Sequence, residues 1–271
     1  MTKKNIIKLK TSKAVFSNIS GSHNSMISGD GLDFKDIRQY NTSDDIRHIN
    51  WSVTSRTNEV AINIFNETKQ LDVSLIYLNS SSMQFGSNIA KFDIVYDCVA
   101  ILGLSLFKSN DSLTTIFYNQ GENKFYHKTT DRRVLPNILK DIETLNKKDI
   151  NNNLQTYLMN KIKKRTLMVI VGDFLQPIEL KLLSKKHDLR VIIVRDKLEE
   201  QLKFTGELNF QQFSTNSLLS TNIDTKAIHQ YNKHMKKHDD SLVRYFKKNK
   251  IKHQKIYTYD NVLKKLQKFF Q

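Results

Sequence analysis

From Leu71 onward the chain alternates short, fully apolar runs with longer segments of helical period. LDVSLIYL, over 71–78, is rich in Val, Leu, Ile and Tyr and stops abruptly at three serines, as a buried strand feeding a turn does. TLMVIVG (166–172) and LRVIIVR (189–195) are equally apolar, and such runs predict strands covered on both faces. Between the first two, Lys91–Phe107 predicts a mostly apolar helix. SLTTIFY (112–118) and Lys124–Lys128 predict two strands joined by a turn through Asn119, Gln120 and Gly121. Helical patterns follow near Asp131–Leu145 and Asn153–Lys163, and the tail predicts a helix over Thr225–Asn249, a strand HQKIYTY (253–259) and a helix over Asn261–Phe270. No period is legible over Phe204–Ile223. The alternation predicts an α/β fold, a mostly parallel sheet with helices on both faces.

Before Leu71 the pattern changes. Residues 29–67 mix Asp and Arg with aromatic residues and hold the single tryptophan, so 1–70 is expected to form an N-terminal arm on a domain over 71–271. Phe34, Tyr40, Ile49 and Trp51 are more apolar surface than a solvated loop needs. One expectation is that Arg38, Arg47 and Arg56 pair with Asp33, Asp36, Asp44 or Asp45 to dock the arm on its own domain. The other is that the same residues face a partner, since Trp, Tyr and Arg dominate interface energetics.

Charge changes this picture little. The net charge of +16 invites a nucleic-acid reading, but the cations are 34 Lys to 9 Arg, and Arg is the residue suited to bidentate phosphate contacts. A solvated lysine-rich surface is the plainer reading, with a basic nucleic-acid-binding protein kept as a third alternative and steep salt dependence as its mark. No apolar run reaches the roughly 18 residues of a membrane span, and the N-terminal MTKKNIIKLKTSK has no apolar signal core. A cytoplasmic protein without a membrane span is expected. Cys98, the single cysteine, lies in an apolar run and is expected in the core.

The arm carries a specific pattern. GDGLDFKDIRQY (29–40), SDDIRHINW (43–51) and TSR (54–56) resemble the family named domain of unknown function 58, with Gly29, Gly31, Phe34, Arg38, Tyr40, Asp44, Asp45, Arg47, Ile49, Trp51 and Arg56 on its pattern. Asp33, Gln39, Ser43 and Asn50 depart from it. The resemblance continues through the SSSM loop, VGDF (171–174) and KHDLRVIIVRD (186–196), and implies a von Willebrand factor A-like core behind the arm. It also implies partners: a MoxR-type AAA+ ATPase and an unidentified client, with this chain as a non-enzymatic adaptor and Asp33, Phe34, Arg38, Tyr40, Asp45, Arg47, Trp51 and Arg56 as its docking residues.

The SSSM loop resembles the first metal-binding loop of the von Willebrand factor A fold, DxSxSM. Ser80 and Ser82 fall on its serines, Leu78 on its aspartate, and Asp173 on the third-loop aspartate; the second-loop threonine, due near Lys148 and Asp149, is missing. Magnesium favours carboxylates in near-octahedral geometry. The expectation is therefore a degenerate site of Ser80, Ser82 and Asp173 with weak or absent magnesium or manganese binding, and no cofactor; the alternative is a cation-dependent ligand binder. A second register, with Asn79 and Ser81 as the ligating pair, is disfavoured because it puts Met83 on a serine position. No nucleophile elbow accompanies the serines, so a triad with His127 or His187 is not expected, and no catalytic residue is assigned. His229, His234 and His238 lie along a lysine-rich helix, where a solvated face is expected rather than a zinc site.

Overall fold

The computed structural model describes residues 28–66, 70–120, 123–150, 153–212 and 217–271. They fall into two compact units that part between Gln70 and Leu71.

In the first unit, β1 (Ser28–Gln39) pairs antiparallel with β2 (Ala61–Asn66) around a short helix, α1 (Trp51–Thr57). Asn50 caps that helix by accepting from the Val53 amide at 3.1 Å, and Asn58 ends it in the left-handed conformation that asparagine tolerates better than most residues. Sequence patterning predicted no elements here, because charged and aromatic residues break the alternation of both strands.

The second unit is built on a six-stranded sheet. β3 (Asp72–Leu78), β4 (Ser112–Tyr118), β5 (Lys124–Thr129), β6 (Leu167–Gly172), β7 (Asp188–Arg195) and β10 (Lys252–Tyr257) lie in the order β5-β4-β3-β6-β7-β10. All pairs are parallel except β4 with β5. Counted within the sheet this is the order 3-2-1-4-5-6, a Rossmann-like arrangement consistent with a von Willebrand factor A-like fold. The order reverses between β3 and β6, and the crevice at the carboxyl ends of the strands flanking such a reversal is where these sheets hold ligands.

Side chains alternate across the strands and create two cores. Val73, Leu75 and Tyr77 face α2 (Lys91–Lys108), α3 (Leu135–Thr144) and α8 (Val262–Phe270), where Cys98, Ile138 and Leu266 are buried. Ile76 and Leu78 face the opposite cluster, which includes Leu158 of α4 (Leu154–Lys161), Leu183 of α5 (Lys181–Lys186) and Phe246 of α7 (Thr225–Lys248). The predicted strands and long helices match within a few residues; α5 and the four-residue α6 (Lys197–Glu200) were not anticipated. The illegible stretch forms an antiparallel hairpin, β8 (Gly206–Gln212) with β9 (Ser217–Ile223). No helix among the described residues is long and apolar enough to cross a membrane.

Candidate functional site

At the end of β3 the chain turns through a 3-10 segment, Ser81–Gln84, pinned by the fully buried Met83. This turn aims Ser80 and Ser82 toward the end of β6. Their hydroxyls lie 2.9 Å apart; Ser80 Oγ is 3.3 Å from Asp173 Oδ2, and Ser82 donates to the same oxygen. The three residues predicted from the loop are thus brought together. Asn79 and Ser81, the disfavoured register, turn elsewhere: Asn79 Nδ2 donates to the Asn146 carbonyl at 3.0 Å, and Ser81 Oγ to Asp149 Oδ1 at 2.7 Å. Asp149 therefore serves Ser81 rather than the Ser80–Ser82–Asp173 cluster. Leu78 is buried, and a Cβ added at Gly172 would come within 2.8 Å of its side chain. The position of the family's first carboxylate is filled by close apolar packing.

What the sequence did not expose is the cation already present. Lys91, the first residue of α2, is 0% exposed, and its Nζ lies 3.1 Å from Asp173 Oδ2 and 2.6 Å from Glu199 Oε1 of α6. The helix macrodipole disfavours a positive charge at that end, so the two carboxylates outweigh it. From Glu199 the charges continue in alternating sign. Arg195, also fully buried, reaches Glu199 at 3.7 Å and Asp239 at 3.2 Å; Lys255 holds both Asp239 and Glu200 at 2.6 Å. Beside them Asp196 accepts from Ser87 N and Oγ, Thr258 Oγ1 and Leu198 N, all within 2.9 Å. The usable signal was Lys91 itself, a lysine opening an apolar helix.

These surroundings set the carboxyls apart. Burial raises Asp173, but the Lys91 charge and the Ser82 hydrogen bond more than offset it and hold the group below the usual aspartate range. For Glu199 burial prevails over Lys91 and Arg195, and the carboxyl sits above its ordinary value. Asp173 thus adds stability above the unfolded aspartate range that is lost as pH falls through its lowered folded value. Glu199 acts oppositely, its native form holding a proton more tightly and losing that contribution as pH rises through its raised value. Carboxyl-carbon NMR titration is expected to show Glu199 protonating above the ordinary glutamate range and Asp173 below the ordinary aspartate range. The reverse order would contradict this assignment of forces.

The residues present do not fit a divalent ion. A +2 ion about 4 Å from the Lys91 ammonium meets on the order of 8 kcal/mol of repulsion at an effective dielectric near 20, against the roughly 4 kcal/mol of a millimolar affinity. Nor does a triad assemble among the described residues. His127 packs its ring on Phe125 at 4.7 Å, and His187, held to about pKa 4 chiefly by burial, takes the Thr166 amide at 3.3 Å. His234 is exposed, while His238 Nε2 meets the Phe174 carbonyl at 2.9 Å.

Next to Ser82 and Glu199 opens a cavity of about 500 Å³, walled by Phe85, Leu198, Leu202, Ile223, Ala227 and Tyr231. Its lining is apolar apart from Glu199 and the hydroxyls of Ser82 and Tyr231.

In the arm, Arg38 pairs with Asp44 at 2.6 Å and Arg47 with Asp45 at 2.5 Å; Arg56 Nε donates to the Ser52 carbonyl at 3.1 Å. Asp36 accepts from the neighbouring Ile37 amide, Tyr40 N donates to Val60 O at 2.8 Å, and Asp33 stands opposite Asn66 in the β1–β2 register, its side chain outside the described set. Two of the expected pairings form, as local surface pairs that add little stability. The arm's own residues leave Phe34 56%, Ile46 67% and Trp51 69% exposed.

The chain is similar to uncharacterized proteins of Mycobacterium bovis and Mycobacterium tuberculosis, 24% identical over 216 residues that span 76% of this chain and 68% of theirs. Among solved structures it is similar to the conserved hypothetical protein BatB from Bacteroides thetaiotaomicron, at 12% identity and a TM-score of 0.44, over 73% of this chain and 96% of that one. An aerotolerance-related membrane protein from Bacteroides fragilis is similar to the same extent, at 14% identity, a TM-score of 0.44, and coverage of 73% and 96%. The model of the DUF58 proteins of unknown function matches residues 36–241, and the chain belongs to that family.

Proposed function

We propose that this chain is a non-enzymatic protein-interaction module that works with a MoxR-type AAA+ ATPase, linking it to a client protein. The observation that carries this reading is at the carboxyl edge of the sheet. There the Ser80–Ser82–Asp173 cluster is closed by an internal ammonium, and the opening beside it is apolar. A closed polar cluster next to an apolar cavity suits a partner's hydrophobic side chain better than a small charged ligand. The ATPase itself is drawn from the resemblance of the arm motif, and Trp51 and Phe34 on that arm supply a second apolar anchor of the type that dominates interfaces.

The test is binding of a purified MoxR-type ATPase from the same genome to the immobilised chain. Ala227 is exposed on the cavity rim in helical backbone, so Ala227→Arg fills the cavity without disturbing a packed residue. It is expected to weaken binding, as is Trp51→Ala, each by about thirtyfold, the effect of losing a 2 kcal/mol anchor. No retention of the ATPase by the unaltered chain would overturn the reading.

A further inference from the structure

We propose that the Lys91 ammonium is a built-in replacement for a divalent cation, and that the residues around it form a latent metal site which opens when that ammonium is removed. Two carboxylate oxygens hold the charge, Asp173 Oδ2 and Glu199 Oε1, and two more oxygen donors, Ser80 Oγ and Ser82 Oγ, meet that same Asp173 oxygen. Hard oxygen donors with two carboxylates are what magnesium and manganese take. Glu199 supplies the second carboxylate that Leu78 does not, from the far side of the cluster. The charge balance agrees, since Arg195 lies closer to Asp239, at 3.2 Å, than to Glu199, at 3.7 Å, and a +2 ion in place of the ammonium matches the two carboxylates of Asp173 and Glu199.

Geometry favours the exchange. Lys91 Nζ lies between the two carboxylates at 3.1 and 2.6 Å, and its side chain enters from the start of α2. Shortening that side chain leaves the donors on three separate stretches, the turn after β3, the turn after β6 and α6, with the vacated volume between them. Manganese is the better probe than magnesium, because contraction from these distances to the roughly 2.0–2.1 Å that magnesium demands is the larger adjustment.

The experiment is manganese titration, by calorimetry and by paramagnetic resonance of free Mn²⁺, of the unaltered chain, Lys91→Ala and Lys91→Ala/Asp173→Asn. The unaltered chain is expected to give no saturable binding at millimolar manganese. Lys91→Ala is expected to bind about tenfold or more tighter than that limit, and the added Asp173→Asn to abolish the gain. If Lys91→Ala does not fold alone, recovery of a cooperative unfolding transition with manganese but not with sodium is the expected result. Saturable binding by the unaltered chain that is lost in Ser82→Ala overturns the proposal. So does a folded Lys91→Ala that binds no better than the unaltered chain, or an unfolded one that manganese does not restore.

Discussion

Lys91→Met is expected to lower folding stability by about 3–5 kcal/mol, the usual cost of removing one partner from a buried ion pair. Methionine nearly matches the length and volume of the lysine stem, so the packing of α2 against the sheet is kept and the charge alone is deleted. What remains is Asp173, 4% exposed, facing two serine hydroxyls, and Glu199 with only the more distant Arg195 contact. Burial of Asp173 keeps solvent from taking the place of the ammonium on that carboxylate. The second substitution Asp173→Asn removes one stranded charge and is expected to return about 1–3 kcal/mol, the coupling range of residues sharing one network. Urea unfolding read for midpoint and slope separates this from a change in compactness. A loss under about 1 kcal/mol for Lys91→Met would mean that Asp173 and Glu199 find other compensation, and the electrostatic reading of the site would fail.

The strands and long helices were legible in the sequence because burial on both faces writes itself as unbroken apolar runs, as in 71–78, 166–172 and 189–195. Ser80 and Ser82 were legible for a related reason, since they lie in the serine turn that closes such a run at the carboxyl edge of the sheet, and Asp173 was legible through its place on the third loop of the fold the chain resembles. The β8–β9 hairpin was not, since 204–223 has neither alternation nor a glycine turn at its tip. Lys91, Glu199, Arg195 and Asp239 were not legible either. Arg195 and Glu199 lie four residues apart, but Lys91 and Asp239 come from distant segments that only the fold brings to them, and in a chain with 43 Lys and Arg even a lysine opening an apolar helix does not stand out by composition.

Arg195 and Lys255 are each shared between two carboxylates, so removing any one member of the network leaves a neighbouring charge short of a partner. Under the proposed function, that network is a fixed floor beside the surface offered to another protein.

Phe246→Ala is expected to cost about 3–5 kcal/mol, the range for truncating a buried phenylalanine, and to disturb the site from a distance. Most of α7 is polar and exposed, and Phe246 is its buried residue, with Leu242 and Tyr245 packed beside the same core. The ring meets Phe174 edge-on at 5.8 Å. Phe174 follows Asp173 directly and has φ of +52°, a left-handed conformation that costs a bulky residue of order 1–3 kcal/mol and persists only where the surroundings enforce it. Two contacts from α7 do so, the Phe246 ring and the His238 hydrogen bond to the Phe174 carbonyl. The same helix carries Asp239, which holds Arg195, and Ala227 and Tyr231, which wall the cavity. Loosening it should therefore release Asp173, Arg195 and the cavity together. Amide hydrogen exchange is the discriminating measurement: faster exchange is expected along α7 and in the turn after β6, beyond what the global loss of stability produces, with β3 and β4 following the global value. Uniform acceleration across the sheet would show that Phe246 fills space without bracing the Phe174 backbone.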